Sequence, residues 1–181
     1  QSFDSKYDIG RASVPNDGPP FPNFTAQENQ GKNLFLQPPV FGPGGVRTGG
    51  GVGCNGCHNA PEFDIDPNTR NNGIIGRIGG GGIDITVTRA PSLRDLTNAA
   101  GRENGPLMHT GNLGLVQNAV GHYNTINIAP GNTNLDPRLT PGGNGQQLNM
   151  TGAEMSAIVA FLKTLGGTNV YTDRKWSNPF L

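Results

Sequence analysis

The strongest periodic signal lies near the C-terminus. Met155, Ile158, Val159, Phe161, Leu162 and Leu165 recur at three- and four-residue spacing, which predicts a helix with one apolar face. Thr151-Gly152-Ala153-Glu154 precedes that run as a capping box, and Gly166-Gly167 stops it. A second capping box, Thr25-Ala26-Gln27-Glu28, opens a helix to about Leu36 with Leu34 and Phe35 on its apolar side. Leu115, Ala119, Val120 and Tyr123 cluster by period and predict a helix over Leu113 to Asn124, while Ser92, after Pro91, opens a short one to Thr97. Elsewhere the periodicity lapses, and Gln37 to Gly53, Asn59 to Arg89 and Gly131 to Gly145 read as loops.

Residues 1–23 carry Pro15, Pro19, Pro20 and Pro22 among Asn, Asp and Gly, and read as an extended arm. The folded domain is expected over residues 24–181. Its tail from Thr168, with Trp176, Pro179 and Phe180, is expected to wrap over the surface. The predicted fold class is all-α, four to five short helices joined by long loops.

Composition sharpens this picture. Hydrophobic residues are 33% of the 181, and there are 29 Gly and 15 Pro, so apolar surface is scarce for offsetting the entropy of ordering the chain. Loops this long argue against a compact domain unless a bound group organises them. The 13 basic and 13 acidic residues balance, which leaves no electrostatic footprint for nucleic acid. No stretch is long enough to span a bilayer.

Cys54-Asn55-Gly56-Cys57-His58 supplies the organising group. Cys-x-x-Cys-His is the attachment pattern of a c-type haem: two thiols three residues apart reach two vinyl groups on one porphyrin edge, and the adjacent imidazole reaches the iron. A thioredoxin-like redox pair would follow a strand in a βαβ unit, yet Gly42 to Gly53 is glycine-rich. A zinc site needs four ligands, and His109 and His122 lie far apart with no second closely spaced pair. A disulfide across so short a loop would be strained and would close almost no chain. The reading is one covalent haem c in a cytochrome c-like fold. Such attachment is made outside the cytoplasm, and the chain starts at Gln1 without a signal-like run, so a processed periplasmic or secreted protein, or a fragment of one, is expected.

With His58 on one face of the iron, the other axial position decides the chemistry. The sequence offers Met108, His109, His122, Tyr123, Met150 and Met155. Met155 on the helical stripe and Met150 before the cap are expected to pack, and Met108 lies in a loop from which it can swing onto iron.

The order Phe24 to Phe35, the Cys54 to His58 pentad, Arg89-Ala-Pro-Ser-Leu-Arg94, Gly105-Pro-Leu-Met-His-Thr-Gly111, Leu135-Asp-Pro-Arg-Leu139 and Leu148 to Leu165 resembles the C-terminal haem domain of bacterial dihaem cytochrome c peroxidases and MauG proteins. That resemblance runs from about residue 24 to residue 181. It implies Tyr123 as the distal ligand, at a position that is Met in the peroxidases and Tyr in MauG. It implies that Arg89, Pro91, Leu93 and Arg94 lie along the haem edge, with a guanidinium pairing a propionate. It also places Asn104 and the Pro106 carbonyl at positions resembling calcium ligands, for an ion that takes six or more oxygens.

The family carries two haems and this chain one Cys-x-x-Cys-His, so the first expectation is a monohaem electron-transfer protein meeting redox partner proteins at the haem edge. The alternative is a subunit or fragment of a peroxidase or MauG-like enzyme, with the second haem on another chain or segment. A third is an interaction role, with the arm and the Trp176 tail docking into neighbouring copies. Thioether ligation would raise the potential, and a phenolate would lower it and favour ferric iron.

Overall fold

A computed structural model describes residues 1–65, 67–86, 89–98, 100–177 and 180. The described residues form helices α1 (Lys6–Ala12), α2 (Ala26–Leu36), α3 (Val116–Asn124), α4 (Gly152–Lys163) and α5 (Asn169–Thr172), with strands β1 (Pro39–Phe41), β2 (Arg47–Gly50), β3 (His58–Asn59) and β4 (Asp64–Ile65). Both predicted capping boxes are made. Thr25 accepts from the Glu28 N–H while Glu28 accepts from the Thr25 N–H at 2.6 Å, and Thr151 and Glu154 do the same at the head of α4. Each box satisfies amides that the first helical turn leaves bare, a contribution of about 1 kcal/mol.

The all-α expectation does not hold. β1 pairs antiparallel with β2, with an irregularity between Val40 and Phe41, and β3 pairs antiparallel with β4, setting His58 opposite Ile65. Strands of two to four residues are too short to show alternation, and the Gly-Pro-Gly-Gly turn that joins β1 to β2 makes the hairpin look like loop. The helix expected over Ser92 to Thr97 is absent as well. That segment is a chain of turns, held where the Leu93 N–H donates to the Phe63 carbonyl at 3.0 Å.

Residues 1–23 are not simply extended. Ser5 and Asp8 form a third capping box at the head of α1, and the Tyr7 N–H donates to the Thr164 carbonyl at 3.1 Å. Tyr7 and Phe21, each 1% exposed, enter an aromatic cluster with Phe24, Phe35, Phe63 and Phe161. The rings meet edge-on or tilted, as at Tyr7–Phe63 (4.8 Å, 81°) and Phe35–Phe161 (5.2 Å, 60°), the arrangement ring quadrupoles prefer.

Helices α2 and α4 cross at the centre. A Cβ on Gly31 would lie 1.9 Å from the Ala157 carbonyl oxygen, so only glycine permits this approach. Helix α3 packs on α4 from the other side. The tail contains α5 and a single turn at Arg174–Trp176, with Trp176 and Tyr171 exposed, and Pro179 lies outside the described residues.

Candidate functional site

Between α2, β1, α3 and α4 the core opens into a cavity of about 920 Å³, at the upper end of the range for small-molecule sites. Its walls are mostly apolar, from Phe35 and Leu36 on α2, Val116 and Val120 on α3, and Ile158 and Leu162 on α4.

The Cys54 to His58 pentad forms one wall. Gly53 enters it at φ 73°, where a Cβ would also meet the Pro39 ring at 2.7 Å, so glycine is required twice over. A single tight turn follows over Cys54–Gly56, closed by the Cys57 N–H on the Cys54 carbonyl at 3.1 Å. The Asn55 side chain accepts from the Ala60 N–H at 3.1 Å and holds the far end of the loop. Cys54 and Cys57 stand as thiols rather than a disulfide, and burial pushes the Cys54 thiol up to about 12. His58 opens β3 and faces the same cavity. Its Nδ1 is buried with no hydrogen-bond partner, and burial lowers the ring's pKa to about 4, with the backbone of Pro91 and Phe63 pulling less strongly the other way.

Tyr123 and Met108 line the same cavity. The Tyr123 hydroxyl accepts from the Asn72 side-chain amide at 3.0 Å, and that amide also donates to the Met108 sulfur at 3.4 Å. Burial raises the Tyr123 phenol to about 12, against the lowering effect of the Asn72 hydrogen bond. The other distal candidates are placed differently. His122 donates through Nε2 to the Asn72 carbonyl at 2.8 Å, and His109 Nε2 lies 3.0 Å from the Gly76 carbonyl. Met150 lines the cavity, while Met155 packs against the hydrophobic core.

Arg89, Pro91 and Leu93 line the cavity, but Arg94 does not. Its guanidinium points away, into the N-terminal segment, where it donates to both Asp8 carboxylate oxygens (2.9 and 2.8 Å) and to the carbonyls of Ser2 and Pro61, with 0% of the side chain exposed. The sequence cannot see this choice, because the partner carboxylate lies 86 positions away. Arg70 and Arg138 stand at the cavity instead. Arg138 binds both oxygens of Asp136 and donates to the Gly56 carbonyl, tying the 135–139 segment to the pentad loop. The Leu135 to Leu139 motif was the visible signal for Arg138, whereas Arg70 sits in an Asn- and Gly-rich stretch that carries none. Asn104, matched to a calcium ligand by resemblance, donates its amide to the Asp95 carbonyl and the Tyr171 hydroxyl.

Among the described residues no group of three or more His, Cys, Asp or Glu side chains is placed to hold a metal ion by itself. What meets at the cavity is two thiols, an imidazole and apolar walls. That set fits a large flat macrocycle anchored at its edge.

The fold is similar to that of solved structures that include a MauG-like protein associated with microbial copper homeostasis, with a TM-score of 0.63 and 22% identity over 99% of this chain. This chain spans 57% of that protein's length. No protein-family model and no curated protein sequence matches the chain.

Proposed function

We propose that this chain is a c-type haem protein that passes single electrons. The observation that carries this reading is that Cys54, Cys57 and His58 face one apolar cavity of about 920 Å³. Cys54 and Cys57 would hold a haem through thioethers and His58 would take one axial position. Bound there, the haem would supply a one-electron couple whose potential depends on the distal ligand. Tyr123 and Met108 line the same cavity and are the candidates for the other axial position, and Arg70, Arg89 and Arg138 at the cavity suit the propionates.

Covalent attachment sets the compartment as periplasmic or secreted. No described helix is long and apolar enough to cross a membrane. Partners are expected to be redox proteins that approach the cavity mouth.

A second reading, a module of a peroxidase or MauG-like enzyme, draws on the neighbour's larger size, since this chain spans 57% of it. In that case this haem serves a second haem centre, and a second haem subunit or segment should accompany it when it is purified from its native source.

The test is intact mass and a haem-staining gel after expression with a c-type maturation system. Addition of one haem mass that survives denaturation is expected, with loss of attachment in Cys54→Ser plus Cys57→Ser. A chain that matures without covalent haem overturns the reading.

A further inference from the structure

Asn72 lies in a stretch without periodic signal, yet three segments of the cavity wall meet on it. Its side-chain oxygen accepts from the Ile74 N–H at 3.1 Å, an Asx turn that fixes which way the amide faces. The nitrogen end must therefore point into the cavity. Its two N–H groups meet two acceptors, the Tyr123 hydroxyl at 3.0 Å and the Met108 sulfur at 3.4 Å. Its own carbonyl takes a hydrogen bond from His122 Nε2 at 2.8 Å, so Asn72 is tied to α3 through both its backbone and its side chain.

The two acceptors are an oxygen and a sulfur that the sequence offers as candidates for the second axial position. Met108 is held in a left-handed backbone conformation (φ 63°), closed by the Gly111 N–H on its carbonyl at 3.0 Å. A non-glycine residue persists there only when its surroundings over-determine it. The amide contact to its sulfur is one such constraint.

We propose that Asn72 is the positioning residue of the distal side, holding the Tyr123 oxygen and the Met108 sulfur in one arrangement so that a single side chain completes the iron's coordination. This rests on the haem reading above. Either acceptor keeps a lone pair for the metal while accepting from the amide. Without the donors, phenol and thioether move independently and neither is held in place.

The test compares wild type with Asn72→Asp and Asn72→Ser, all loaded with haem. Both replacements keep an acceptor for the Ile74 N–H, and neither can donate as the amide does: aspartate has no N–H, and serine is too short to reach. Low-temperature EPR of the ferric protein is the readout, with haem content measured on the same samples by the pyridine haemochrome. Wild type is expected to show one ferric species, and each variant more than one at unchanged haem content. Asn72→Gln, which retains the amide on a longer stem, should recover more of the single species than Asn72→Ser. If one variant does not fold, the other carries the same reading. An identical single species in a haem-replete variant overturns the role of Asn72 and leaves the haem reading intact, as does a mixture already present in wild type. A wild type without covalent haem overturns both.

Discussion

The two sides of the α2 and α4 pair are built on opposite terms. On the N-terminal side the chain fills its own space. Tyr7, Phe21, Phe63 and Phe161 are at most 1% exposed, and the buried cations are engaged. Lys32 donates to the carbonyls of Asp17 and Pro19 and sits 4.3 Å over the Phe21 ring, while Arg94 grips Asp8. Such charges survive burial only when they are bonded this completely. On the cavity side the helices present the same kind of apolar residue, but to about 920 Å³ that no side chain fills, beside a histidine nitrogen with no partner. Protein interiors close to crystal-like density when nothing else is to be accommodated. The contrast separates the part of the fold that stabilises itself from the part shaped around something the polypeptide does not supply.

The largest effect that should sharpen this contrast is Phe161→Ala. Phe161 is 0% exposed and touches Tyr7, Phe24, Phe35 and Phe63, so its loss should cost about 3–5 kcal/mol in denaturant unfolding. Val120→Ala on the cavity wall, 9% exposed, removes two methyl groups rather than a whole ring and should cost about 1–2 kcal/mol. Equal losses at the two sites would break the comparison.

A smaller effect is expected at the helix crossing. Gly31→Ala places a Cβ against the Ala157 carbonyl, and overpacking of this kind costs about 1–3 kcal/mol. Gly114, at the entrance to α3, has nothing within 4 Å of the added atom, and Gly114→Ala should shift the melting temperature little in either direction.

The smallest effect is read in acid. Burial alone would raise the Asp8 pKa, but the hydrogen bonds from Arg94 and Ser5 outweigh it and hold the carboxyl below its ordinary value of 3.8. A carboxyl depressed in the folded state contributes stability that is complete above that ordinary value and is lost as pH falls through the folded one. The melting temperature of wild type should therefore fall in that acid window, and Asp8→Asn should flatten this part of the profile. An unchanged acid limb in the variant would show that the Arg94–Asp8 pair does not couple to folding.

How far the sequence reached depended on how local each signal was. Helices α2 and α4 were legible because a capping box and an apolar period are both set within a dozen residues. Helix α1 carried the same kind of signal, Ser5 with Asp8 three positions on, but the prolines that follow it drew the whole segment into an extended reading. The strand pairs escaped because each strand is too short for its alternation to repeat. Arg89 and Arg94 bracket one motif and looked alike. One stands at the cavity and the other is buried against Asp8, and nothing within a few residues of either distinguishes them.

The sequence by itself determined that two thiols and an imidazole stand side by side, because their spacing is fixed by covalent geometry along a short stretch of chain. It also determined the two central helices, whose caps and faces are local. Only the tertiary structure decided which arginines stand at the cavity, that residues 1–23 complete the aromatic core, and that one asparagine amide, 51 positions from Tyr123 and 36 from Met108, bridges the two distal candidates. Those are contacts between distant segments. Their formation depends on packing that brings the segments together, and no local pattern in the chain encodes it.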